Sequence, residues 1–350
     1  MKRFAVALAL LALAIPAHSQ QTSFGERIDV NAVLLDVIVT DSRGNQILGL
    51  AKDDFIVKED GVVQAVDSVD YFTSRTLLSS REDKAPFRVE KVREDRYFVF
   101  FFDKPQDPAA LFGQLLQARA SVTDFIGKQM RDTDYVAIVG HDMRLKVYSD
   151  FTRDRTQLVS ALGEALRFGR GITEAEGSEG PSILRALDRD QLINGTGTVY
   201  QALGVLAAAL RSTGARKNLV LFSPGIVDHS ERVQRGFILD RSQHLDPALE
   251  WLNAANVSVY AIQLQREAAT DPVFHQRLSE IADSTGGRYF QLNTTFRPAL
   301  RRIEQTNSGY YLVTYRAKHP SGTRGFQKVD VSVKNPEFRV VARSGYQFGS

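Results

Sequence analysis

One stretch constrains this chain more than any other: Arg96-Tyr97-Phe98-Val99-Phe100-Phe101-Phe102-Asp103-Lys104-Pro105-Gln106-Asp107. Six consecutive apolar residues, aromatic or β-branched, are too few for a typical helix. They fit a strand buried on both faces, the kind found in the middle of a parallel sheet. The run stops at Asp103, and Pro105 has no N–H to extend a ladder. Asp103 is therefore expected at the carboxyl edge of a central strand, where open α/β sheets bind ligands. An Asp after a strand also serves as a turn former or a helix N-cap, so its position alone leaves both roles open.

The N-terminus reads as a leader rather than as part of the fold. Lys2 and Arg3 precede an apolar segment, Phe4 to Ile15, that is too short to span a bilayer. Ala17-His18-Ser19 places small residues at both key positions of a cleavage site. Residues 1–19 are expected to be a signal peptide cut between Ser19 and Gln20, giving a secreted or periplasmic protein; an uncleaved anchor is the other reading. No later stretch is apolar enough to cross a membrane. Cysteine is absent, which excludes disulfides, thiolate metal sites, a Cys nucleophile and a lipid-anchored N-terminus. With 44 basic and 41 acidic residues mixed throughout, nothing points to nucleic acid or an anionic surface as partner.

The pattern divides the remainder into segments. Residues 20–75 read as a small β unit, with the Asp60-Gly61 pair as a hairpin turn between two apolar runs. Residues 76–95 read as a polar linker. From 96 to 305 strands alternate with helices. Buried strands are expected at Tyr135–Gly140, Asn218–Phe222 and Val257–Ile262, with an edge strand at Leu145–Phe151. Helices are expected at Ala109–Gln129, from Thr152 as N-cap to Phe168, at Val199–Arg211, at Pro247–Ala255, and from an Asp271 N-cap to a C-cap at Gly286-Gly287. A short helical piece is expected at Ser182 to Leu192, and residues 306–350 return to β structure around a polar loop at Lys318 to Gly325. Neither terminal β unit can bury a core alone. They are expected to pack as one sandwich-like domain into which an α/β domain, a doubly wound and mostly parallel sheet, is inserted.

At this point the chain resembles a known family. The alternation from Arg96 to Glu304 is similar to a von Willebrand factor A (VWA) domain. Several motifs resemble the exported bacterial VWFA-related proteins: Val37–Asp41 with Gly44, Leu50–Phe55, Glu59-Asp60-Gly61, Asp134–Val139, Phe151–Arg155, Ser284-Thr285-Gly286-Gly287 and Val340–Tyr346. Their order and spacing cover nearly the whole chain after the leader. The resemblance implies a divalent cation at the strand edge, held by an Asp-x-Ser-x-Ser motif, a Thr and a second Asp. Such a hard cation takes oxygen ligands. Here Asp103 matches the first Asp, but Pro105 stands at the first Ser and Asp107 at the second. Thr196 and Thr198 both lie in the loop of the Thr. Ser223-Pro224-Gly225 follows the strand where the second Asp belongs, with Pro224 at its position. The resemblance thus implies a degenerate site. No strong magnesium or calcium binding is expected, with Asp103, Asp107 and Thr198 the residual metal candidates, and Lys104 is expected to reach Asp103 or Asp107.

The resulting expectation is a non-enzymatic, exported protein–protein interaction or adhesion-type module. Its ligand face would include Asp103, Asp107, Thr196, Thr198 and Ser223, and its partner would be an extracytoplasmic protein. Two alternatives stand beside it. One is a hydrolase centred on Ser223 with His229 and Asp228, although no Gly-x-Ser-x-Gly elbow surrounds that serine. The other is a structural envelope protein. Gly195-x-Gly197 lacks the third Gly of a dinucleotide fingerprint. His141, His244, His275 and His319 are isolated in sequence, and Asp53-Asp54 and Glu59-Asp60 read as a solvated face and a turn.

Overall fold

The computed structural model describes residues 28–73, 89–90, 95–105, 107–175, 180–213, 215–226, 244–264, 272–291, 295–320 and 322–349. The expected leader, most of the linker, Asp228, His229 and the Asp271 cap lie outside these residues. The described elements, in chain order, begin with strands β1 (Ile28–Thr40), β2 (Phe55–Glu59), β3 (Val62–Gln64), β4 (Val66–Thr73), β5 (Val89–Glu90) and β6 (Arg96–Asp103). Helix α1 (Phe112–Asp124) continues as one π-helical turn through Gln129, and β7 (Asp134–His141), β8 (Leu145–Thr152) and α2 (Arg155–Leu166) follow. Next come α3 (Arg189–Asn194), α4 (Val199–Leu210), β9 (Lys217–Ser223), α5 (Leu245–Ala254), β10 (Val257–Gln263), α6 (Pro272–Ser284), β11 (Arg288–Phe290) and α7 (Arg297–Thr306). The tail holds β12 (Gly309–Pro320), β13 (Gly325–Val333), β14 (Arg339–Val341) and β15 (Gly345–Phe348).

The molecule is mixed α/β. A six-stranded sheet runs in the order β11-β10-β9-β6-β7-β8. All its neighbours are parallel except the edge strand β8, which pairs antiparallel with β7. β6 sits between β7 and β9, and all eight of its residues are buried. Its side chains alternate between two cores. Tyr97, Val99 and Phe101 join the cluster formed with α4, α5 and α6. Phe98, Phe100 and Phe102 join the cluster formed with α1, α2 and α7.

Strands from the two ends of the chain share the other sheets. β1 pairs with β12 from Ile28↔Pro320 to Val37↔Tyr311, β4 pairs with β12, and β2 pairs with β13. Val33, Leu35, Val37, Phe55, Tyr311, Val313, Tyr315 and Val329 form one buried cluster. β12 runs to Pro320, so the loop expected from Lys318 begins later than its polarity suggests.

Three local expectations are corrected. The N-cap of α2 is Asp154, whose carboxylate accepts from the N–H groups of Thr156 and Gln157; Thr152 instead accepts from Asp154 N–H at 3.1 Å. Glu59 is not a solvated turn residue. It is buried and accepts hydrogen bonds from Tyr315 Oη at 2.7 Å and Tyr346 Oη at 2.6 Å, which links β2 to β12 and β15. The helical piece expected at Ser182 to Leu192 starts later and runs on to Asn194, as α3. The Gly286-Gly287 ending of α6 does form: Gly286 takes φ +69° and Gly287 N–H bonds to Ala282 O at 2.8 Å. Ala342 of the tail packs so close that a Cβ on Gly286 would lie 2.8 Å from its carbonyl carbon.

Two buried charged groups stand at the starts of central strands of the sheet. Arg96 at the start of β6 makes a bidentate pair with Asp134 at the start of β7, both distances 2.7 Å, with the carboxylate wholly buried. Removing one partner of such a pair strands the other charge in the interior. Asp134→Ala is expected to destabilise the protein by about 3–5 kcal/mol in urea unfolding.

Lys217 opens β9 beside Asp36 of β1, and its Nζ donates to Thr213 O at 2.6 Å. Burial pushes its ammonium group down from 10.5 to about 8, with Asp36 opposing and Arg343 adding to the shift. The unfolded chain therefore binds this proton more tightly, and the group's contribution to stability rises as pH increases from about 8 to 10.5. Lys217→Met is expected to raise stability at pH 7 by about 1–3 kcal/mol and to flatten the rise across that window, as read from denaturant midpoints at several pH values.

Candidate functional site

The carboxyl edge of the six-stranded sheet gathers four buried polar side chains: Asp103 at the end of β6, His141 at the end of β7, Ser223 at the end of β9, and Thr196 before α4. Parallel registry brings the first two together, because Asp103 pairs with His141 in the β6–β7 ladder. Ser223 Oγ donates to Asp103 Oδ2 at 2.7 Å, and Asp103 Oδ1 lies 3.6 Å from His141 Nδ1. Ser223 Oγ also accepts from Gly225 N–H at 3.1 Å. His141 Nε2 lies 3.0 Å from Thr196 O; the carbonyl can only accept, so Nε2 carries a proton. Thr196 Oγ1 donates to Leu192 O at 2.8 Å and accepts from Leu145 N–H at 3.0 Å. Both hydroxyls and Asp103 Oδ2 are thus hydrogen-bonded within the protein, and Asp103 Oδ1 lies beside the His141 ring.

The other expected ligand-face residues lie outside this cluster. Asp107 is exposed, and its Oδ1 accepts from Ala109 and Ala110 N–H at 3.1 Å each, as a turn former does. Thr198 caps α4 in a reciprocal box with Gln201, at 3.2 and 3.1 Å. Lys104 does not reach Asp103 or Asp107. It bonds to Asp142 Oδ1 at 3.0 Å while Lys146 bonds to Asp142 Oδ2 at 3.0 Å. Burial pushes the Asp142 carboxyl up, but the two ammonium groups outweigh it and hold the group below its ordinary value.

As a donor set for a hard divalent cation the edge falls short. About six oxygens are needed. Both oxygens of Asp103 face Ser223 and His141, the Thr196 hydroxyl is used twice, and Pro105 and Pro224 bring no side-chain oxygen. Among the described residues no group of three or more His, Asp or Glu side chains could hold a metal ion. The arrangement also differs from a hydrolytic triad. A triad places the imidazole between the hydroxyl and the carboxylate. Here the carboxylate stands between, and Ser223 is fully buried.

Sequence reasoning missed His141 and treated it as isolated. A signal was available: if the apolar runs ending at Phe102 and Gly140 are neighbouring parallel strands that stop at one edge, the next residues, Asp103 and His141, fall side by side.

No family model and no curated protein matches this chain. Solved structures similar to it include an aerotolerance-related membrane protein from Bacteroides fragilis, at 14% identity and TM-score 0.39, covering 60% of this chain and 98% of that one. The vWF domain of the type V pili tip protein Mfa5 from Porphyromonas gingivalis is 12% identical at TM-score 0.40, covering 62% and 96%. Manganese-loaded TRAP protein from Plasmodium vivax is 12% identical at TM-score 0.36, covering 72% and 94%. The fold is defined by the sheet order and helix layers of the chain itself.

Ser223→Ala would remove the one hydroxyl donor to a buried carboxylate. It is expected to lower stability by about 1–3 kcal/mol, measured by thermal or urea unfolding.

Proposed function

We propose that this protein is an exported, non-enzymatic protein–protein interaction module that uses the carboxyl edge of its six-stranded sheet without a bound metal. The observation that carries this reading is the setting of Asp103: the Ser223 hydroxyl donates to one oxygen at 2.7 Å and the His141 ring stands 3.6 Å from the other. A cation would have to compete with the Ser223 hydroxyl and fit beside the imidazole. The accessible groups at this edge are Asp107, Lys104, Met143 and Arg144, all exposed, and Met143 is 85% exposed in the β7–β8 turn. These offer side-chain contacts of both charge signs and one large apolar group, a set suited to a protein surface. Export rests on Lys2, Arg3, the apolar segment from Phe4 to Ile15 and Ala17-His18-Ser19; among the described residues no helix is long and apolar enough to cross a membrane.

Calorimetry with magnesium and with calcium is expected to give no saturable isotherm, and partner capture from the native envelope fraction is expected to be unchanged by chelator. A micromolar isotherm abolished by Asp103→Ala would overturn the metal-free reading. Pro224→Asp is expected to raise metal affinity by restoring a carboxylate beside Asp103.

A further inference from the structure

A second surface, on the outside of the helix layer, carries its own chemistry. A groove of about 570 Å3 runs between α1, α2 and α7, floored by Leu116, Ala120 and Val159 and rimmed by Arg119, Lys128 and Arg297. Helix α1 buries Leu115, Ala118 and Val122 in the core, yet it also turns Phe112 and Leu116 outward, one turn apart and 61% and 48% exposed. Residues four apart share a face, so these two extend the apolar floor into one stripe. A contiguous exposed apolar stripe rimmed by polar groups marks an interaction surface.

The rim is cationic and short of counter-charges. Arg297 and Arg301, one turn apart on α7, lie within electrostatic reach of Asp124, the one carboxylate lining the groove. Asp124 is already paired with Lys128 at 2.6 Å. Glu164 of α2 pairs with Arg167, and Glu304 of α7 pairs with Arg96 and Arg131. Among the described residues, Arg119, Arg297 and Arg301 have no carboxylate partner.

We propose that this groove docks an acidic, amphipathic helical segment of a partner protein. Apolar side chains of that segment lie on Leu116, Ala120 and Val159, and its carboxylates meet Arg119, Arg297 and Arg301. The charge complementarity names the occupant: Arg119 and Arg297 on the rim, with Arg301 one turn further along α7, match a helix with one apolar face and acidic flanks. The groove lies on the helix layer, so the proposal stands independently of the strand-edge reading.

The test is selection of a displayed random peptide library on the intact protein, followed by fluorescence anisotropy of an enriched peptide. Enriched sequences are expected to place Leu or Phe at i, i+3 and i+4 with flanking Asp or Glu. Their affinity is expected to fall about tenfold or more in the double variant Arg119→Glu/Arg297→Glu and in Leu116→Glu, and to weaken with added salt. All three side chains are exposed, so the melting profile is expected to stay that of the parent; if Leu116→Glu alters it, the charge-reversed variant decides. No enrichment, enrichment of basic or uncharged sequences, or binding indifferent to these substitutions would overturn the proposal. So would sedimentation with phosphatidylglycerol vesicles lost in the same double variant, without peptide binding, which would make the groove a lipid surface.

Discussion

The burial of β6 on both faces is the constraint from which the rest of the structure follows. Its side chains alternate into two separate cores, so it needs a helix layer on each side and a paired strand on each edge. Burying one Phe contributes about 1.5–3 kcal/mol, and exposing either face would forfeit several such terms at once. The strand can end only where polar groups find partners, and its two ends are solved alike. In the β6–β7 ladder Arg96 falls opposite Asp134 and Asp103 opposite His141. The apolar stretch is therefore bounded at one edge by a bidentate ion pair and at the other by a carboxylate that accepts from the Ser223 hydroxyl, with the His141 ring beside it.

How much of this could be read from the sequence depends on the range of the interaction concerned. The buried strands of the α/β region show in runs of β-branched and aromatic residues. Capping was legible only to within a couple of residues, because Thr152 and Asp154 both carry suitable oxygens and the first turn of α2 selects Asp154. What escaped were contacts set by distant strands. Glu59-Asp60-Gly61 has the composition of an exposed turn, yet Tyr315 and Tyr346 arrive from the far end of the chain and enclose the Glu59 carboxylate. His141 carries no spacing motif, and its role exists only once β6 and β7 are in register.

The return of the chain explains how the terminal strands can share sheets with one another. Thr73 at the end of β4 and Gly309 at the start of β12 are register partners in the β4–β12 pair. A Cβ on Gly309 would lie 2.3 Å from Tyr71 Oη, so the close approach requires glycine there. Beyond that crossing, the tail is fastened to the α/β region through backbone groups. Arg343 donates to Leu34 O of β1 at 2.8 Å and to Asn253 O of α5 at 3.3 Å, and Ser344 Oγ donates to Ser284 O at 2.7 Å. Desolvation holds the Arg343 guanidinium below its ordinary value, which is the expected sign for a cation enclosed between two packed units.

These connections bear on the strand edge. On the proposed reading, recognition there depends on presentation rather than coordination. Met143 has φ +60°, a backbone conformation uncommon outside glycine, and its neighbour Asp142 is clamped by Lys104 from the β6 edge and Lys146 from β8. The Asp142 N–H also bonds across the turn to Arg144 O at 3.1 Å. The turn is thus pinned by charge on one side and backbone on the other, with an unbranched apolar side chain held out into solvent between them. A cation site would tie ligand affinity to ion concentration. On that reading a pinned Met beside Lys104 and Arg144 ties it instead to the shape and charge of the partner, while Asp103, Ser223 and His141 end three neighbouring strands of the same sheet.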